Sequence, residues 1–241
     1  LFGSVENTDW AISGVDSGTV NGSAFEGFEN LQGSSGNEDV FTFTGNGRLS
    51  GDFDGGDAGF DTLVIGGGSY SQMVFRATGP DSGEIDLDGN VLNYRGLEPI
   101  LVDQDTLPNH IHFILPGTDD EVVVEQDTLG RIRVRSTNVD IFNDPDPTFE
   151  QTIFYLPAVS FTIEGGGGTD SITIDTNLSK TGMNLTVDAE SITVNPGVSI
   201  DLGNGDILLN TSATASGTIG DLLGIDTGVD FVDDALDLKF G

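Results

Sequence analysis

Residues 31–65 contain one short pattern twice in succession. Each copy is a glycine-rich turn, then an aspartate, then a short apolar strand: the first ends in Asp39 and VFTF, the second in Asp61 and TLVI. Gly33 corresponds to Gly55 and Asp39 to Asp61, so the pattern recurs with a period of about 22 residues. A fixed period of this size is typical of a solenoid, in which each unit buries its apolar face only against its neighbours.

The same period continues through apolar residues outside the two turns. At about 3.3 Å per strand residue, such a period accommodates three short strands and three turns, which is one coil of a parallel β-helix. The predicted ladders are Leu31, Phe53, Phe75 and Leu97; Phe41, Leu63, Ile85 and Leu107; and, after residue 158, Ile163, Leu185 and Ile207.

The rest of the sequence favours the same fold class. Apolar residues show no sustained helical spacing, whereas short Val, Ile, Thr and Phe runs are bounded throughout by Gly, Asn and Asp. We therefore predict an all-β protein, a parallel β-helix (β-solenoid) with coils of about 22 residues. We expect one domain over residues 1–241, a segment of a longer chain or filament, with an irregular middle at 98–157 and a projecting loop at 143–147.

The charge of the chain limits the kinds of partner that it can bind. Forty acidic residues against eight basic ones give a net charge of −32, which opposes binding to nucleic acid or to an anionic membrane. Either bound divalent cations or a solvated acidic surface can explain this composition. The absence of cysteine fits an extracellular and a cytosolic protein equally well. No apolar run has membrane-spanning length, so we expect no membrane insertion.

One further turn matches a defined motif. Residues 165–173, GGGGTDSIT, fit the nonapeptide G-G-x-G-x-D-x-U-x, and the turns before Asp39 and Asp61 are looser variants. The chain resembles the hemolysin-type (RTX) calcium-binding repeats and the giant repetitive bacterial surface proteins that embed them. Phrases such as FEGFENLQGSSGNEDVF and FDGGDAGFDTLVI resemble the latter group.

The resemblance implies a calcium site in each turn. Calcium takes six to eight oxygen ligands, and glycine lets the chain direct several carbonyl groups to one point. The implied carboxylate ligands are Asp39, Asp61 and Asp170, and the implied carbonyl ligands are Gly33, Gly36, Gly56, Gly59, Gly165 and Gly168.

The chain also departs from the family pattern. Its coils are longer than two nonapeptides, Glu38 is an insertion, and Asp57 stands where a second glycine is expected. Ile192 stands one full period after Asp170, so we expect Asp170 to lack an acidic partner one coil away. Asp39 above Asp61 is thus the best candidate ion site. The alternative is that Gly and Asp only form tight turns through left-handed backbone and Asx hydrogen bonds.

Arginines occupy alternate positions, 131, 133 and 135, along one predicted strand. The preceding predicted strand carries Glu121 and Glu125 on one face. These residues predict either cross-strand ion pairs or a surface that binds an anionic polysaccharide.

The leading functional prediction is a structural segment of a secreted or surface-attached bacterial protein: an adhesin stalk, matrix component or filament subunit, rigidified by calcium. Because solenoid ends expose unpaired strand edges, we expect end-to-end contact with adjoining copies or neighbouring subunits. We predict no enzymatic activity. The rival interpretation is a β-helix lyase or epimerase that acts on acidic polysaccharide, which needs a basic residue and a general base in one groove.

Overall fold

The computed structural model describes residues 1–45, 47–149 and 151–211. These residues form 22 strands and no helix, which confirms the all-β class. None of them therefore belongs to a helix long and apolar enough to cross a membrane. The chain divides into unit 1, Leu1–Pro108 with Phe149–Tyr155, and unit 2, Asn109–Thr148 with Leu156–Gly241. The single domain that we predict over residues 1–241 includes residues 212–241, which lie outside the described residues.

The strands are numbered in chain order. The first eleven are β1 Asp9–Gly14, β2 Ser17–Val20, β3 Ser23–Glu26, β4 Leu31–Gln32, β5 Val40–Thr44, β6 Asp52–Asp54, β7 Thr62–Gly66, β8 Gln72–Gly79, β9 Ser82–Leu87, β10 Asn90–Arg95 and β11 Ile100–Val102. The others are β12 His110–Ile114, β13 Glu121–Gln126, β14 Ile132–Ser136, β15 Gln151–Phe154, β16 Ser160–Glu164, β17 Ser171–Ile174, β18 Leu178–Ser179, β19 Asn184–Asp188, β20 Ser191–Val194, β21 Ile200–Asp201 and β22 Ile207–Asn210.

Unit 1 contains two groups of paired strands. In one, β15, β11, β7, β5 and β1 pair in parallel in that order, and β2 and β3 extend the group as antiparallel strands. In the other, β8, β9 and β10 form an antiparallel meander, followed by parallel β6 and β4. Phe41 lies opposite Leu63 and Leu31 opposite Phe53, as the repeat predicts.

The predicted ladders fail at their third residue in unit 1. Phe75 does not follow Phe53 but pairs with Ile85 across the antiparallel strands β8 and β9, and the residue beside Phe53 is Tyr94. Leu107, predicted to be an interior residue, is 58% exposed. The physical reason is that two hairpins between β8 and β10 interrupt the succession of parallel strands.

Unit 2 is also built from parallel ladders. One group runs β22, β19, β16 and β12, a second runs β20, β17 and β13 with β14 antiparallel to β13, and β18 pairs with β21. Leu185 lies opposite Ile207 as predicted. Ile163, however, lies opposite Val187 and not Leu185, because the connection between β16 and β19 is longer than the repeat predicts.

Alternation along the strands directs apolar side chains inward, and in unit 1 aromatic rings fill the interior. Trp10 stacks on Phe41 with ring centroids 5.4 Å apart, and Phe41 and Phe43 both contact Phe53, at 6.1 and 5.0 Å. Phe53 in turn stacks on Tyr94 at 6.4 Å. This packing fixes β5, and β7 pairs with β5 in parallel, so the two aspartates that immediately precede these strands are also held in place.

Candidate functional site

The turns before β5 and β7 lie one upon the other. The amide of Gly36 donates to the carbonyl of Ala58 at 2.7 Å, and Asn37 forms a parallel bridge with Gly59. Asp39 and Asp61 therefore occupy equivalent positions directly before neighbouring strands, as the repeat predicts. The amide of Asp39 donates to Asp61 Oδ1 at 2.7 Å.

The carboxylate of Asp39 is fully enclosed, with 0% of the residue exposed. Its Oδ1 accepts hydrogen bonds from the amide of Thr8 and from Asn37 Nδ2, both at 2.7 Å, and its Oδ2 accepts from the amide of Ser34 at 3.0 Å. Three donors from the chain itself thus stabilise its negative charge.

Asp61 is 3% exposed and is less well compensated. The described hydrogen bond to its carboxylate comes from the amide of Asp39. Burial raises the pKa of Asp61 to about 6; the hydrogen bond from Asp39 opposes this rise, and the negative charge of Asp39 adds to it. A proton or a cation at Asp61 would therefore stabilise the folded chain.

The first glycine of each turn makes room for the aspartate that closes it. A Cβ atom on Gly33 would collide with Asp39 Oδ2, and one on Gly165 would collide with Asp170 Oδ2. Gly59 and Gly168 have positive φ angles of 126° and 116°, which other residues rarely adopt. Of the other implied ligands, Gly36 and Gly56 also have positive φ, at 77° and 117°.

Asp170 has an acidic residue on each side. Asp120 donates its amide to Asp170 Oδ1 at 3.1 Å, and the amide of Asp170 donates to Glu190 Oε2 at 2.8 Å. The prediction that Asp170 lacks an acidic neighbour was wrong, because Ile172 pairs with Ile192, a shorter offset than the repeat predicts. Burial raises the pKa of Asp170 to about 6, and the charges of Asp120 and Glu190 contribute.

The turn of residues 115–120, LPGTDD, was missed by sequence reasoning. Asp119 Oδ1 accepts from the amide of Thr169 at 2.9 Å, and the amide of Ser171 donates to the carbonyl of Asp120 at 2.7 Å, so this turn lies on the one before β17. Asp120 is fully buried, burial raises its pKa, and its Oδ2 has no hydrogen-bond partner among the described residues. The available signal was a Gly-x-Asp-Asp turn directly before an apolar strand.

The turns do not bring together a complete set of metal-binding side chains. Within residues 1–45, 47–149 and 151–211, no group of three or more His, Cys, Asp and Glu side chains is placed to hold a metal ion. The cited backbone amides that donate to Asp39, Asp61 and Asp170 lie 5, 22 and 50 residues earlier in the chain. The bonds to Asp61 and Asp170 join neighbouring segments, and none of the three is a local Asx hydrogen bond of the alternative interpretation.

The arginines of β14 form ion pairs within the chain. Arg131 contacts Asp127 at 2.7 Å, and Arg133 and Arg135 contact Glu125 at 2.7 and 2.6 Å. The predicted cross-strand ion pairing is confirmed, although Asp127 takes part in place of Glu121. Each of the three arginines is thus ion-paired within the chain, with Glu125 shared by two of them.

Comparisons of the chain with protein-family models, with curated proteins and with solved structures find no match.

Proposed function

We propose that this chain is a structural segment of a secreted or surface-attached bacterial protein, such as an adhesin stalk, a matrix component or a filament subunit. We further propose that it folds as a β-solenoid with coils of about 22 residues. The observation that carries the proposal is parallel pairing at this offset in both units, with Leu31 opposite Phe53 and Leu185 opposite Ile207. Strands related in this way return to the same place after each repeat, as a solenoid requires.

Asparagines at the ends of strands support the same proposal. In three places an asparagine Oδ1 accepts a hydrogen bond from the backbone amide 22 residues later. The pairs are Asn30 with Asp52, Asn177 with Ser199 and Asn184 with Asp206, at 2.8, 2.8 and 2.9 Å. Such bonds hold successive repeats in one register and favour a stiff segment.

Calcium at the turns is part of the proposal. Beside Asp39 and Asp61, the buried Oδ1 of Asn37 has no hydrogen-bond partner among the described residues. A neutral oxygen next to two carboxylates suits the ligand preference of calcium. Asp39 and Asp61, with the turn glycines, would hold the ion, and Asp170 would hold a second. The ion would supply positive charge to buried carboxylates and rigidify the turns.

The proposed location is extracellular or at the cell surface, where salt and divalent cations screen a net charge of −32. The proposed partners are adjoining copies of the same segment, end to end. β3 is the last strand of its group in unit 1, and its outer edge has no partner among the described strands. Exposed edges of this kind pair readily with another chain.

Sedimentation velocity over a range of protein concentrations tests this proposal, and we expect reversible oligomers. The Ala24→Lys variant places a charge on the exposed face of β3 and should weaken association. Thr128→Lys adds the same charge at the β13–β14 hairpin tip and should leave association unchanged. A wild-type chain that stays monomeric at every concentration would contradict end-to-end assembly.

The ion pairs of β14 weigh against the rival function. A lyase or epimerase that acts on acidic polysaccharide needs an uncompensated basic residue next to a general base. Arg131, Arg133 and Arg135 each contact a carboxylate of their own β13–β14 hairpin, Asp127 or Glu125. We therefore assign no catalytic role to this strand.

A further inference from the structure

Unit 1 contains a cleft of about 570 Å³, formed partly by residues that follow β5 and β7, whereas the turns described above precede these strands. Its lining comes from Val15, from Gly45, Gly47 and Arg48 after β5, from the GGSY segment after β7 and from the tip of the β9–β10 hairpin. Cavities of roughly 300–1,000 Å³ are typical of sites for small molecules.

The aromatic side of the cleft is held in a fixed position. The hydroxyl of Tyr70 donates to the carbonyl of Gly45 at 3.3 Å. The ring lies so close to Gly68 that a Cβ atom there would collide with it. Burial raises the pKa of Tyr70, and the charge of Asp88 adds to this rise. The side chain is therefore a rigid, neutral phenol near pH 7.

The hairpin side of the cleft is fastened by Asp88. Its two carboxylate oxygens accept hydrogen bonds from the amides of Ser71 and Gln72, both at 2.8 Å. These bonds join the hairpin tip to the segment that carries Tyr70. Because both of its carboxylate oxygens accept hydrogen bonds from backbone amides of the cleft wall, Asp88 is poorly placed to act as a general base.

Arg48 supplies a positive charge that the chain does not use. Its backbone is fixed, since its amide donates to the carbonyl of Gly14 at 3.1 Å and its carbonyl accepts from the amide of Asp16 at 2.9 Å. Its exposed side chain forms no ion pair with any described residue, whereas four other arginines do so. The side-chain amide of Asn90, on the opposite wall, likewise has no hydrogen bond in the described part of the chain.

These groups define a class of ligand. A guanidinium binds a carboxylate through two parallel hydrogen bonds, an aromatic ring offers a flat apolar surface, and an amide matches a pair of neighbouring hydroxyl groups. Arg48 is the cation of the lining, and two backbone amides stabilise the charge of Asp88 there. The cleft therefore suits at most one negative charge, which disfavours a phosphate dianion. The net charge of −32 also opposes a polyanion.

We propose that this cleft binds a saccharide with a single carboxylate, namely a glucuronate residue on an otherwise neutral glycan. Arg48 contacts the carboxylate, Tyr70 packs against the sugar ring, and Asn90 binds hydroxyl groups. This is a binding activity beyond the structural role, and neither proposal depends on the other.

The test is a titration of the full chain with the disaccharide glucuronyl-β-1,4-glucose, followed by calorimetry and by the amide NMR shifts of Arg48, Gly68 and Ser71. We expect saturable binding with shifts confined to the cleft. Cellobiose has the same linkage without the carboxylate, and its affinity should be lower by about tenfold or more. Inorganic phosphate should not compete.

Variants decide which residues are responsible. Arg48→Gln should weaken binding about tenfold or more, and Tyr70→Leu should weaken binding of both disaccharides. Arg76→Gln removes the same charge from β8, outside the cleft, and should leave the affinity unchanged. All three variants should keep the unfolding midpoint within a few degrees of wild type.

Three results would overturn the proposal: no binding at about 10 mM disaccharide, equal affinity for cellobiose, or equal effects of Arg48→Gln and Arg76→Gln. End-to-end association of the chain would be unaffected by any of them.

Discussion

Asp39 and Asp61 are equivalent in the repeat, but their surroundings give them different electrostatic properties. Asp39 receives three hydrogen bonds from described donors, whereas the one described for the Asp61 carboxylate comes from the amide of Asp39. Both are almost fully buried. The cost of burying charge therefore falls mainly on Asp61, and its pKa rises from 3.8 to about 6.

This difference predicts how stability depends on pH. The folded chain binds a proton at Asp61 more tightly than the unfolded chain does, because the pKa falls from about 6 to 3.8 on unfolding. The free energy of unfolding should rise as the pH is lowered through 6, with the gain complete below the unfolded pKa. Asp61→Asn should abolish this contribution and, in EDTA at pH 7, stabilise unit 1 by up to about 3 kcal/mol.

Urea denaturation from pH 7.5 to 4.5 measures this effect. Asp57→Asn is the matched control, because it removes the same charge from an exposed position of the same turn. It should be close to neutral and should keep the pH dependence. If Asp61→Asn destabilises the calcium-free protein at pH 7, the ionised carboxylate is stabilising and the electrostatic argument fails.

The sequence was informative where turn chemistry and spacing agree. Asp39 and Asp61 were predicted to lie together, and they do, because both turns have the same length and both precede a strand with the same alternation. Asp120 was missed because its turn lacks the glycine pair and lies on the turn of Asp170, which is far away along the chain. A contact between residues so far apart in the chain depends on the length and structure of all the segments between them.

At the level of strands, alternation alone leaves the register open. Moving a strand by two positions keeps every apolar side chain on the same face, so offsets that differ by two bury similar residues. Unit 2 uses three such offsets: Ile172 lies opposite Ile192, Leu185 opposite Ile207, and Ile163 opposite Val187. The lengths of the connecting turns determine which of these registers forms.

The hairpins of unit 1 did have a sequence signal. Asp88 and Gly89 both adopt positive φ, at 54° and 88°, and Asp-Gly between alternating apolar residues is a strong indication of a two-residue hairpin. Phe75 and Ile85 stand one period after Phe53 and Leu63, so they were assigned to parallel ladders and the hairpin was not predicted. A periodic pattern and a local turn motif competed, and the local motif determined the pairing.

The asparagine bonds between repeats give a prediction for single strands. Asn184→Ala leaves the amide of Asp206 without its acceptor at 2.9 Å and should lower the stability of unit 2 by about 1 kcal/mol. Amide hydrogen exchange should become faster at Asp206 and along β22. Asn204→Ala removes an exposed asparagine whose side chain has no hydrogen bond within the described residues, and it should change neither quantity. Equal exchange rates at Asp206 in both variants would show that the bond does not hold the repeats together.

At the scale of the whole molecule, the chain must fold against its own charge. A net charge of −32 is repulsive throughout, and the buried carboxylates Asp61, Asp120 and Asp170, each with a raised pKa, add local costs. Any salt screens the general repulsion. At a fixed neutral pH, an ion bound at the turns relieves the local costs more than general screening does, which makes the two effects separable.

Thermal unfolding in EDTA, calcium, magnesium and sodium chloride at one ionic strength separates them. Calcium should raise the midpoint most, because its ligand number and flexible geometry suit turn carbonyls, whereas magnesium retains its water. Saturation at 100 times the dissociation constant should add about 2.7 kcal/mol. Asp61→Asn should lose the part of this calcium-specific gain that comes from its own turn, although it is more stable than wild type in EDTA, and Asp57→Asn should keep the whole gain. An equal rise in all three salts would leave screening as the sole effect, and calcium would then have no specific role in the turns.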